Sequence, residues 1–142
     1  MAEGSTDSIL AIDVGEVRIG VARADKIAGL ATPLTTLRND DEVFDKIANL
    51  CQENNVDTVI VGLPRNLDGQ DTPQTSYTRS FADAMQIKTG FKVIFQDEAV
   101  TSKQAVSELI SRGKAYVKED IDALAAAYIL EDYLAAYGEP QA

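Results

Sequence analysis

A chain of 142 residues is long enough for one domain with a proper core, and its composition excludes more than it suggests. It has no histidine, which removes Ser-His-Asp and Cys-His machinery and every histidine-liganded zinc or iron site, and its one cysteine removes thiolate clusters and intrachain disulfides. The net charge of −10 runs against the broad basic surface on which nucleic-acid binding usually depends, leaving room only for a local basic rim around one cleft.

Residues 1–7 read as a flexible leader without the basic and apolar regions of a signal peptide, and no apolar run approaches the roughly 20 residues that span a bilayer. With the single Cys51, this leads us to expect a cytoplasmic protein without membrane contact. Residues 9–14 form the first predicted strand. Gly15-Glu16 makes a two-residue hairpin turn into Val17–Ala22, an antiparallel second strand. There Val17, Ile19 and Val21 alternate with Arg18, Gly20 and Ala22, giving one bulky face and one small or polar face. A turn at Ala24-Asp25-Lys26, with Asp25 in a structural role, leads to a third strand from about Ile27 to Leu37, which Pro33 marks as an edge or an irregularity.

The period then changes. Val43, Ile47, Leu50 and Cys51 share a helical face, and Asn39 with Glu42 has the spacing of a capping box. Thr58–Gly62 is a continuous apolar strand of the kind buried on both faces, and it exits through the turn-forming stretch 62–69. Thr72 and Pro73 open a helix with Tyr77, Phe81, Ala84 and Met85 inward, which Gly90 ends. A strand over Phe91–Phe95 follows, then a helix capped by Thr101 with Gln104 and ending near Gly113, and a final helix from about Glu119 to Tyr137. Three strands in succession, followed by alternating helices and strands, predict an α/β fold with an antiparallel start and a parallel continuation.

Three acids stand in apolar settings. They are Asp13 within the first strand, Glu98 just past the strand from Phe91, and Asp122 on the inward face of the last helix with Ala125, Ala126 and Ile129. Each has an ordinary reading of its own. Asp13 could bond the hairpin's backbone N–H groups, Glu98 could be a solvated loop acid, and Asp122 a first-turn acid favoured by the helix dipole. Together they suggest a hard-cation site, because two carboxylates about 4 Å apart repel by about 4 kcal/mol at an effective dielectric near 20 and a divalent cation removes that cost. Mg²⁺, or Mn²⁺ in its place, suits such oxygen donors and could serve phosphodiester hydrolysis. Arg18 beside the Asp13 turn, Arg65 after Gly62, and Arg112, Lys114 and Lys118 before Asp122 are candidates for a basic rim.

These residues resemble a known family. Ile12-Asp13-Val14-Gly15 with Arg18-Ile19-Gly20-Val21-Ala22, then Val61-Gly62-Leu63-Pro64, Asp68-Gly69, Asp97-Glu98 with Thr101, and Ile121-Asp122 with Ala125-Ala126 are similar to the YqgF family, also called RuvX. The resemblance implies one RNase H-like domain over residues 8–142, with a five-stranded mixed sheet flanked by helices. It implies Asp13, Glu98 and Asp122 as catalytic, metal-binding acids, and a nuclease that matures the 5′ end of pre-16S ribosomal RNA. Arg18 and Arg65, from their places beside these acids, and Thr101 are the expected substrate contacts. The chain departs from the family at Ala99, where an arginine is common. Structured RNA is the expected partner. The alternatives are a four-way DNA junction as substrate, or a non-catalytic nucleic-acid-binding or nucleotide-binding domain.

Overall fold

A computed structural model describes residues 8–65, 68–98, 107–108, 111, 113 and 118–137. The apolar run at the start becomes β1 (Ser8–Val14), which is paired on both edges and covered on both faces, so Ile9, Leu10, Ala11 and Ile12 are all buried. β2 (Arg18–Asp25) runs antiparallel to it and β3 (Leu30–Arg38) antiparallel to β2. After α1 (Val43–Glu53), β4 (Val56–Pro64) returns parallel to β1. After α2 (Pro73–Thr89), β5 (Lys92–Glu98) pairs parallel with β4, giving the sheet order β3-β2-β1-β4-β5. The last described helix is α3 (Lys118–Tyr137). This is the expected mixed sheet of three antiparallel strands continued by two parallel ones.

Period-two alternation divides the core between the two faces of the sheet. Leu10, Ile12, Val14, Ile19 and Val21 meet Val43, Ile47 and Cys51 of α1 and Phe81 and Met85 of α2. Ile9, Ala11, Ala22, Ala24 and Ile60 meet Leu124, Ala126, Ile129 and Leu130 of α3. The small face expected of β2 is therefore the face on which α3 lies. Small residues there let a helix approach the strand closely.

Several local expectations shift. The hairpin turn moves by one residue: Gly15 N–H donates to the Arg18 carbonyl at 2.9 Å, which leaves Glu16 and Val17 as the central pair and starts the strand at Arg18. Gly15 is needed because a Cβ there would stand 2.7 Å from that carbonyl oxygen. β3 starts at Leu30, three residues later than expected. The Asp25 carboxylate accepts from the N–H of Ile27 and of Ala28, and the Gly29 N–H bonds the Asp25 carbonyl, so Ile27 is spent in a turn. Pro33 sits on the outer strand where the register shifts, as its missing N–H requires.

The capping box of Asn39 and Glu42 does not form. Glu42 precedes α1 without a side-chain cap, and the Asp40 carboxylate accepts from the Glu42 N–H at 3.0 Å. Thr72 does cap α2, in a reciprocal pair with Thr75, and Gly90 closes that helix in the left-handed conformation at φ 78°. Ala84 faces outward, whereas Ala82, Thr75 and Thr78 are buried, because the inner stripe runs one residue aside from the expected one. Glu98 is the last residue of β5 rather than a residue beyond it. The leader 1–7, Ala99, and the Thr101 and Gln104 cap lie outside the described residues.

Candidate active site

The order of the strands sets where the acids stand. Asp13 lies near the carboxyl end of β1, in register with Gly20 of β2. Cross-strand partners share a face. Asp13 alternates with Ile9 and Ala11, which pack on α3, so it belongs to the α3 side of the sheet. Gly20 leaves a notch on that side, and the first turns of α3 enter it. A Cβ at Gly20 would stand 1.9 Å from the Asp122 carbonyl oxygen and 2.3 Å from its carbonyl carbon. Two acids 109 positions apart in sequence thus flank one glycine.

Two polar contacts fix α3 in that place. Arg18 Nε donates to Asp122 Oδ2 at 2.5 Å, and the pair is only partly exposed. The Thr36 hydroxyl donates to the Glu119 carbonyl at 2.7 Å, tying the start of α3 to β3. The hydrogen bond to Asp122, and then its charge, raise the pKa of Arg18 above its ordinary value. Arg18, expected at the substrate, is therefore first the partner of Asp122.

The turn that carries Asp13 and Arg18 is clamped from the opposite face. Asn39 Nδ2 donates to the Gly15 carbonyl at 2.8 Å and lies 2.9 Å from the Tyr77 hydroxyl, while its backbone N–H donates to the Val17 carbonyl at 2.9 Å. Gln74 Nε2 donates to the Val14 carbonyl at 3.1 Å. Sequence reading missed Asn39, Gln74 and Tyr77. The spacing of Asn39 to Glu42 points to a helix cap instead, Tyr77 carries no signal beyond its helix face, and Gln74 carries none.

Glu98 takes its backbone place at the carboxyl end of β5, in register with Pro64, and shares its parity with Ile94, which packs toward α3. Its side chain lies outside the described residues, as do Thr101, Arg112 and Lys114 and the side chain of Lys118. Among the described residues no three acids or thiols form a group that could hold a metal ion. Arg65 does not reach toward Asp13. Its guanidinium lies 3.3 Å from Asp97 Oδ1 and 3.6 Å from Asp71 Oδ1, and Nη1 donates to the Gly69 carbonyl, so it braces the loop after β4.

Residues 7–136 match the family described as RuvX, Holliday junction resolvase. The chain belongs to the RuvX family. A Sulfurihydrogenibium protein (strain YO3AOP1) named "Putative pre-16S rRNA nuclease" is 39% identical over 128 residues, covering 89% of this chain and 88% of its own. A protein of the same name from Chloroflexus aurantiacus is 42% identical over 132 residues, covering 90% and 86%. Among solved structures, T. thermophilus RuvC in complex with Holliday junction substrate superposes with a TM-score of 0.51 at 15% identity, covering 91% of this chain and 94% of that one. At that identity the likeness speaks for the fold, which is RNase H-like. The RuvX chain keeps this fold with Asp13 on its central strand.

Proposed function

We propose that this RuvX protein is a divalent-metal-dependent endonuclease that hydrolyses phosphodiesters in structured nucleic acid, with precursor 16S ribosomal RNA as its substrate. One arrangement supports the reading: Asp13 is in register with Gly20, and the Asp122 backbone lies over that glycine at the same side of the sheet, in a chain without a single histidine. The names of its relatives supply the substrate. The same composition, and the single Cys51, support a cytoplasmic site of action.

The donor set fits a hard cation. Asp13 and Asp122 offer only oxygen, and Glu98 stands at the end of a strand whose neighbour β4 borders β1. These three residues would hold Mg²⁺ or Mn²⁺. When bound, such an ion polarises a phosphoryl oxygen and lowers the pKa of water. The chain's own groups do the positioning. Arg18 orients the Asp122 carboxylate, Asn39 and Gln74 hold the end of β1 and the turn behind Asp13, and the Gly20 notch sets how closely α3 approaches.

The deciding assay compares a 16S precursor with a synthetic four-way DNA junction in Mg²⁺ and Mn²⁺, wild type against Asp13→Asn. The precursor should be cut, and the variant should lose at least a hundredfold in rate. Unchanged cleavage by Asp13→Asn would remove the proposed centre. Preferred cleavage of the junction would move the substrate to DNA, which the family's description names. Nucleic-acid binding without any cleavage would make the chain a binding module.

A further inference from the structure

Outside the carboxylates, β2 and β3 end in a groove of about 270 Å³ beside the start of α3, lined by Val17, Arg18, Thr36, Leu37, Arg38 and Glu119. Arg18 and Arg38 are register partners across the antiparallel pair. Like charges placed directly opposite each other destabilise a sheet unless something answers them. Arg18 has its answer in Asp122. Arg38 is exposed and makes no ion pair among the described residues, in a chain whose acids outnumber its bases by 23 to 13. Thr36 lies two residues before Arg38 and bonds the start of α3, so the groove opens on the same side of the sheet as Asp13 and Asp122.

We propose that this groove binds a backbone phosphate of the nucleic acid next to the bond that is cut, with Arg38 as its principal contact. The inference rests on the nuclease reading above and adds a subsite to it. A guanidinium presents a planar fork of N–H donors that matches phosphate oxygens, and it stays charged at any working pH. β3 stands two strand spacings from β1, about 10 Å, so the phosphate held here neighbours the scissile one. Arg18 contributes charge while it remains bonded to Asp122. Glu119 on the rim opposes the anion, so its removal should strengthen binding. Arg38 offers one cation without an ion pair among the described residues in a chain of net charge −10, which is why its removal is the decisive variant.

The test is fluorescence anisotropy in EDTA across a salt series, with a labelled RNA hairpin bearing a single-stranded flank and, separately, a labelled four-way DNA junction. Arg38→Ala should weaken binding about five- to tenfold and lower the salt slope by about 1, irrespective of sequence. Arg38→Lys should recover part of the loss, and Glu119→Gln should tighten binding. Lys26→Ala, an exposed cation in the turn at the far end of β2 and β3, should leave affinity and slope unchanged. Wild-type affinity and slope for Arg38→Ala, or an equal loss for Lys26→Ala, would overturn the subsite. So would failure of the wild type to bind either probe in EDTA, while cleavage of the precursor in Mg²⁺ would then leave the nuclease reading standing. Wild-type binding that depends on Arg38 without any metal-dependent cleavage would remove the nuclease reading and leave the subsite standing.

Discussion

Gly20 and Asp122 touch through their backbones: the space a Cβ on Gly20 would need is taken by the Asp122 carbonyl group, with its oxygen 1.9 Å from that point. The obstruction is backbone, so it cannot swing aside as the end of a side chain would. Gly20→Ala should therefore push the start of α3 off the sheet and cost about 3 kcal/mol or more, at the upper end of overpacking effects. In a domain of this size that is a fall in Tm of about 10 °C in calorimetry. Ala22→Gly on the same strand face, which removes a methyl group rather than adding one, should cost about 1 kcal/mol.

Asn39 predicts a second, gentler loss. Its side chain reaches both the Gly15 carbonyl and the Tyr77 hydroxyl, and its main chain holds Val17. Asn39→Ala strips the side-chain bonds and leaves a carbonyl without its donor, worth about 1–3 kcal/mol. Because the turn joins Asp13 to Arg18, cleavage should fall further than stability alone explains. A reduced rate at a temperature where the variant is fully folded is the measurement that separates the two effects.

What the sequence revealed depended on whether a signal was local. The continuous apolar runs of β1 and β4, the Thr72-Pro73 start and the Gly90 stop report on their own neighbourhoods, and each stands where the pattern put it. Asp13 was legible because a charge inside an apolar strand asks for an explanation. That the start of the last helix lies over Gly20, the register partner of Asp13, was inferable only from an inward-facing acid and an assumed fold. The role of Gly20 was not inferable at all, because a glycine in a small-faced strand looks the same whether a helix backbone or open space lies above it. Asn39 misled for a related reason. Its spacing to Glu42 satisfied a local rule, but a contact with Gly15, 24 residues away, claimed the side chain instead.

Cys51 gives a prediction with a definite pH window. Burial, and then the charge of Asp57, push its pKa up to about 12 from a value near 9. The folded state thus holds the thiol neutral, and the stability this brings is complete below pH 9 and lost as the pH rises toward 12. By pH 10.5 the loss is about 2 kcal/mol. Cys51→Ala should start less stable at pH 8 because it leaves a small cavity, and should then fall less steeply than the wild type between pH 8 and 10.5 in urea titrations. Equal slopes for the two proteins would mean that the thiol ionises in both states alike. The native wild type should also resist thiol reagents at pH 8 until it unfolds.

Arg18 joins the fold to the chemistry. Asp122 is one of the proposed metal-holding acids, and Arg18 already occupies one of its oxygens at 2.5 Å. A cation arriving at Asp122 meets a carboxylate whose charge is partly answered, so Arg18 weakens metal binding while it orients the ligand. Arg18→Ala should therefore bind Mn²⁺ more tightly in a direct titration and yet cleave at least tenfold more slowly, having lost both the orientation of Asp122 and a charge beside the substrate. Arg18→Lys keeps the charge without the planar fork and should fall between the two. The arginine's own proton plays no part in this. Its pKa is raised by the pairing, so the stability it brings is fully present below its ordinary value and is lost only at pH far above the working range. Mn²⁺ affinity and cleavage moving in opposite directions is the signature. Weaker metal binding by Arg18→Ala would mean that the pair serves to present Asp122 and not to compete for it.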